Sequence, residues 1–69
     1  MKISARNSFK GTVKKVTPGA INTEIVLEIA PSIEVTSIIT KSSADNLNLV
    51  VGKEAYVMVK SSDVLIAVD

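Results

Sequence analysis

The sequence predicts an all-β fold, a small Greek-key barrel carrying one short helix. Three observations lead there. Apolar and polar residues alternate over most of the chain, which is the mark of half-buried strands. Turn-forming groups, Pro18-Gly19 and Ala30-Pro31-Ser32, interrupt that alternation. A single stretch, Lys41 to Leu49, breaks the two-residue period and carries the spacing of a helix.

Taken in order, Ile3 to Arg6 reads as a short edge segment. Phe9 to Val16 reads as a looser strand, with Gly11 as a bulge or bend and Phe9 alternating toward the core side. After the Pro18-Gly19 turn, Thr23, Ile25, Leu27 and Ile29 share one face, opposite Asn22, Glu24 and Glu28. Beyond Ala30-Pro31-Ser32, Ile33, Val35, Ser37 and Ile39 repeat the pattern, opposite Glu34, Thr36 and Thr40. Lys41 to Leu49 then predicts a helix of one or two turns, capped between Thr40 and Ser42, with Ala44 and Leu47 three apart. Val51-Gly52-Lys53-Glu54 turns the chain back into a strand holding Ala55, Val57 and Val59, and Val64, Ile66 and Val68 predict a closing strand. With the helical turn ahead of the last long strand, this element string is that of an OB-like barrel.

Size and composition narrow what such a barrel can be. The chain has 69 residues, enough for one domain and a modest core. Domains of this size usually need a disulfide, a metal or a partner. The absence of cysteine excludes disulfides, and the absence of histidine as well excludes the usual structural zinc site. Yet 46% of the residues are hydrophobic and the mean hydropathy is +0.36. Association with further copies of the chain is the remaining way to cover that surface, so a homo-oligomer is expected. No apolar run approaches the ~20 residues of a membrane span. The first residues do not pair a basic stretch with an apolar core, so neither a signal peptide nor a membrane partner is expected and the cytoplasm is the default location.

The expected chemistry is binding rather than catalysis. No carboxylate pair stands in a setting that would shift a pKa, and Ser42-Ser43 and Ser61-Ser62 have no general base beside them. Glu24, Glu28 and Glu34 fit a solvated strand face, and Asp63 fits a turn. No enzyme activity is therefore expected. Nucleic-acid binding, common among OB-like barrels, needs basic grooves and stacking aromatics. One Phe, one Tyr and a net charge of +1 argue against it, and Lys2, Lys10, Lys14 and Lys15 fit a strand edge that resists aggregation.

Small-anion binding fits better, because three segments hold donors without nearby carboxylates. Ser4-Ala5-Arg6-Asn7 offers a hydroxyl, a guanidinium and an amide. Thr40-Lys41-Ser42-Ser43 opens the predicted helix, where N–H groups and the positive dipole end favour an oxyanion. Lys60-Ser61-Ser62 ends a strand with an ammonium and two hydroxyls. No single segment encloses an ion, so sites between subunits are expected, with Arg6 and Lys60 meeting from different chains. The competing reading is a ligand-free structural or regulatory module, in which Arg6 pairs with Asp63 or Glu54 of a neighbour.

The opening MKISARNSFKGTV, the VTSIITKSSADNLNL segment and the VGKEAYVMVKSSDVLI ending closely resemble the molbindins. These are small Mop-type molybdate-binding proteins built from the module also found as TOBE domains of molybdate regulators and transporters. The resemblance spans the whole chain and implies a single domain over residues 1–69. It also implies an N-terminal strand exchanged within a dimer, three dimers forming a hexamer, and molybdate or tungstate held between subunits for intracellular storage, with no organic cofactor. Ser4, Ala5, Arg6 and Asn7 match the family's SARN motif, and Lys60 and Ser61 match its lysine and following small residue. Thr40 and Ser43 match a threonine and serine beside the short helix. Such an anion is already wrapped in oxygen, so no residue is expected to coordinate the metal directly.

Overall fold

Four strands form one antiparallel sheet: β1 (Asn7–Pro18), β2 (Asn22–Ala30), β3 (Ile33–Thr40) and β4 (Glu54–Val59). The computed structural model describes residues 1–69. The helix α1 (Lys41–Asn46) follows β3, and a 3-10 turn, η1 (Ser61–Asp63), follows β4. The strand order is β3-β2-β1-β4. Three strands joined in sequence, with the fourth returning beside the first, make a Greek key. β3 and β4 do not pair, so the sheet curls into half a barrel with two free edges.

The all-β class, the single short helix and the faces read from the alternation are all present. Thr23, Ile25 and Leu27 are buried, and Val35, Ser37 and Ile39 are half-buried. The core proper is small: Val13, Ile25, Leu27 and Val57, flanked by Val16, Ile29, Ile39 and Leu49 among others.

Three local expectations are corrected. The bulge lies at Lys14, between the register pairs Val13↔Leu27 and Lys15↔Val26, and not at Gly11. An unbroken strand with Val13 inward would also turn Lys15 inward. The extra residue resets the alternation, so both lysines stay exposed and Val16 returns to the core side. Gly11 instead answers a close approach, since a Cβ there would stand 2.9 Å from the Glu28 carbonyl oxygen and 3.2 Å from Ile29 Cγ2. Phe9 alternates to the core side as expected, opposite the buried Val57, and is 43% exposed.

The helix spans Lys41–Asn46, within the one or two turns its spacing predicts. Thr40 caps its start, its Oγ1 accepting from the Ser43 N–H at 3.1 Å. Asn48, in the left-handed region at φ 52°, ends it. The Leu49 N–H then donates to the Ala44 carbonyl and the Asn48 N–H to the Asp45 carbonyl, which is the pattern of a Schellman motif. The edge segment Ile3–Arg6 and the closing strand Val64–Val68 are not in the sheet. Alternation makes a segment suitable for a sheet but does not by itself pair it with an edge strand. After η1 the chain runs on exposed, with Leu65 and Val68 more than 90% accessible.

Candidate functional site

The register of β1 against β4 builds the site. Asn7↔Val59 is the outermost pair of that ladder. Arg6 directly precedes β1 and Lys60 directly follows β4, so both cations leave the sheet at the same end and meet within one chain, not only across subunits as the separate segments led one to expect. Together with Ile3, Ser4, Ala5, Met58, Ser61 and Ser62 they line an open cleft of about 560 Å³. The cleft thus collects one guanidinium, one ammonium and three hydroxyls.

No carboxylate lines it. The two ion pairs of the chain lie elsewhere, Lys10 Nζ to Glu54 Oε2 at 2.9 Å and Lys14 Nζ to Glu28 Oε1 at 3.9 Å. Arg6 and Lys60 therefore keep their charge unpaired within the chain, and two unneutralised cations at one cleft favour a negatively charged occupant. Glu54, one of the acidic partners considered for Arg6, is engaged by Lys10. That lysine's pKa is held above its ordinary 10.5, first by the hydrogen bond to Glu54 and then by the charges of Glu54 and Tyr56.

Asn7 ties the two halves of the cleft together. Its Nδ2 donates to the Val59 carbonyl at 3.3 Å and to Ser61 Oγ at 3.5 Å. Of the residues singled out from sequence, Ser4, Ala5, Arg6, Lys60 and Ser61 are thus brought to one place, and Asn7 sits at its root. Ser62, part of the third donor segment, lines the cleft as well. Met58 was missed, and its place in an alternating strand gives no signal for it.

Thr40 and Ser43 are not brought there. β1 rises from Asn7 to Pro18, β2 returns and β3 rises again, so Thr40 lies at the opposite end of the sheet from Lys60. It also lies on the opposite edge, three strands away, or about 14 Å along the sheet at the usual strand spacing. Its hydroxyl donates to Ser43 Oγ at 2.8 Å while accepting from the Ser43 N–H. These groups are partly spent on capping, which leaves the Ser43 hydroxyl proton as the free donor. No group of three or more His, Cys, Asp or Glu side chains is gathered anywhere in the chain. No helix is long and apolar enough to cross a membrane.

Comparison with known proteins places this geometry in a family. The chain is 47% identical over 66 residues to molybdenum-pterin-binding protein 3 of Clostridium pasteurianum, covering 96% of this chain and 97% of that one. It is 41% identical over its full 69 residues to the molybdenum transport protein ModE of Azotobacter vinelandii, of which it spans 26%. Among solved structures, MopII from Clostridium pasteurianum superposes with a TM-score of 0.91 at 43% identity, over 97% of this chain and all of that one. The molybdate-binding protein from Sporomusa ovata gives 0.90 at 33% identity, over 97% and 98%. The cytoplasmic molybdate-binding protein ModG, with molybdate bound, gives 0.89 at 38% identity, over 94% of this chain and 46% of that one. These names describe binding and transport proteins. The TOBE domain model matches residues 3–66, so the chain belongs to the TOBE-domain family and, within it, to the small Mop proteins.

Proposed function

We infer that this protein binds molybdate through the cleft between its N-terminal segment and the end of β4, and serves as a molybdenum store or buffer. The carrying observation is the cleft itself. Arg6 and Lys60 stand without a carboxylate among the hydroxyls of Ser4, Ser61 and Ser62. A tetrahedral dianion calls for two positive charges and several neutral donors, and this is that inventory. The relatives' names point to the same ligand. Tungstate, equal in charge and shape, is bound by the same contacts, and no organic cofactor is needed to hold either.

On this reading residues 1–69 act as one module whose site is completed by another copy. Ser4, Ala5, Arg6, Lys60 and Ser61 form the binding surface of one chain, with Asn7 at its root, and Thr40 and Ser43 come from a neighbour. Their placement at opposite corners of the sheet supports this, since one chain cannot bring both sets to one ion. The exposed apolar surface supports assembly: Ile21, Ile38, Leu65, Ile66 and Val68 are all more than 60% accessible, against a core of four side chains. A hexamer built from three dimers covers such surface, and exchange of the segment ahead of Asn7 between partners would place the same Ser4-Ala5-Arg6 donors in the partner's equivalent cleft. That segment lies outside its own sheet. The protein works in the cytoplasm, the location printed for ModG.

Equilibrium dialysis against molybdate, with sulfate as competitor, tests the function. Saturable uptake that sulfate does not displace at equal concentration is the expected result. No uptake would leave the chain an assembly module only. Arg6→Ala removes a charge-assisted hydrogen bond worth about 1.5–3 kcal/mol, a loss of about ten- to a hundredfold in affinity, without unfolding the sheet. Unchanged affinity in that variant removes Arg6 from the site.

A further inference from the structure

We propose that Asn7 is a positioning residue for Ser61, not a direct ligand, and that it sets the Ser61 hydroxyl to donate to the bound anion. The proposal rests on the oxyanion reading of the cleft. Asn7 is half-buried at the first position of β1, opposite Val59. Its side-chain amide faces the Val59 carbonyl oxygen at 3.3 Å. A carbonyl oxygen can only accept, so the group facing it is the NH₂. Turning the amide over would set Oδ1 against another oxygen.

With that orientation fixed, the remaining consequences are a matter of counting protons. An amide NH₂ has two. One is directed to the Val59 carbonyl and the other to Ser61 Oγ at 3.5 Å. Asn7 then has no N–H left for an anion, and its carbonyl oxygen would repel one. Ser61, by contrast, is made an acceptor on one side, so its single O–H proton is released to donate on another. Ser61 lines the cleft, and an oxyanion can only accept. Accepting from an amide also polarises the hydroxyl and strengthens the bond it donates. Asn7 thus biases the Ser61 hydroxyl toward donating into the cleft. The 3.5 Å contact is a long one, so the effect is modest rather than decisive.

A double-mutant cycle on the full chain decides between positioning and direct contact. Molybdate affinity is measured by equilibrium dialysis for the unmodified protein, Asn7→Ala, Ser61→Ala and the double variant. Circular dichroism and sedimentation confirm that each keeps its fold and assembly. Asn7→Ala is expected to weaken binding about three- to tenfold when Ser61 is present, and to have no further effect in the Ser61→Ala background. An equal loss in both backgrounds means that Asn7 contacts the anion itself and overturns the proposal, as does no loss in the single variant. If Asn7→Ala loses its fold, Asn7→Leu keeps the branched shape without the donors and carries the same cycle. An unmodified protein that takes up no molybdate overturns the oxyanion reading as well, and is recognised before any variant is compared.

Discussion

Thr23→Val should stabilise this protein, and the reason lies in one atom. Thr23 is 2% exposed, on the core face of β2 between the Pro18 and Ile39 registers. Its Oγ1 is buried without a hydrogen-bond partner. A buried hydroxyl left unpaired costs about 1–3 kcal/mol in lost hydration. Valine keeps the branched shape, the χ1 preference and the strand propensity of threonine, and replaces the hydroxyl by a methyl. The native contacts are kept and the desolvation penalty disappears, so the net gain is about 1–3 kcal/mol. For a domain of this size, with a urea m-value of about 1 kcal/mol/M, the midpoint should rise by about 1 M or more. Urea unfolding followed by circular dichroism, at one fixed chain concentration because association shifts apparent stability, is the appropriate assay. A midpoint that falls or stays put would show that the hydroxyl has a partner and refute the reasoning.

Three further perturbations follow from single positions. Ser32 holds φ 63° in the Ala30–Ile33 turn. Ser32→Gly relieves a left-handed strain of about 1–2 kcal/mol against a smaller entropic cost, so thermal unfolding should move upward by a net of up to about 1 kcal/mol; a downward shift contradicts this. Gly11→Ala forces a Cβ against the Glu28 carbonyl and Ile29 and should lower stability by about 1–3 kcal/mol, whereas an unchanged urea midpoint would show that β2 can yield there. The Lys10 pKa is raised in the folded state by its hydrogen bond to Glu54. Whatever that pair contributes is therefore present at neutral pH and lost as pH climbs through a value above 10.5. In Glu54→Gln the Lys10 side chain, followed by NMR, should titrate nearer 10.5, and an unmoved titration would assign the shift elsewhere.

Much of the fold was legible because its cause is local. The inward positions of β2 and β3 follow from a two-residue period that any half-buried strand must show, and Thr40 could be read as a cap because capping involves residues three apart. The three donor segments were legible for the same reason, as clusters of residue type along the chain. The bulge at Lys14 was harder to place. The Val-Lys-Lys-Val pattern shows that something must break the alternation, but the partner strand fixes where. Met58 gave no signal, since membership of the cleft depends on how the chain before β1 lies against the end of β4.

By itself, the sequence determined that this is a small all-β protein with one capped helical turn, too little core for its apolar content, and clusters of polar donors suited to an anion. Tertiary structure alone decided which donors meet. Arg6 and Lys60 are far apart in the chain, and only the pairing of Asn7 with Val59 brings them to one end of the sheet. The same topology sends Thr40 and Ser43 to the opposite corner. The physical reason is that composition and periodicity are properties of neighbours along the chain, whereas a binding site is set by strand register, which long-range hydrogen bonds fix only once the whole sheet has formed.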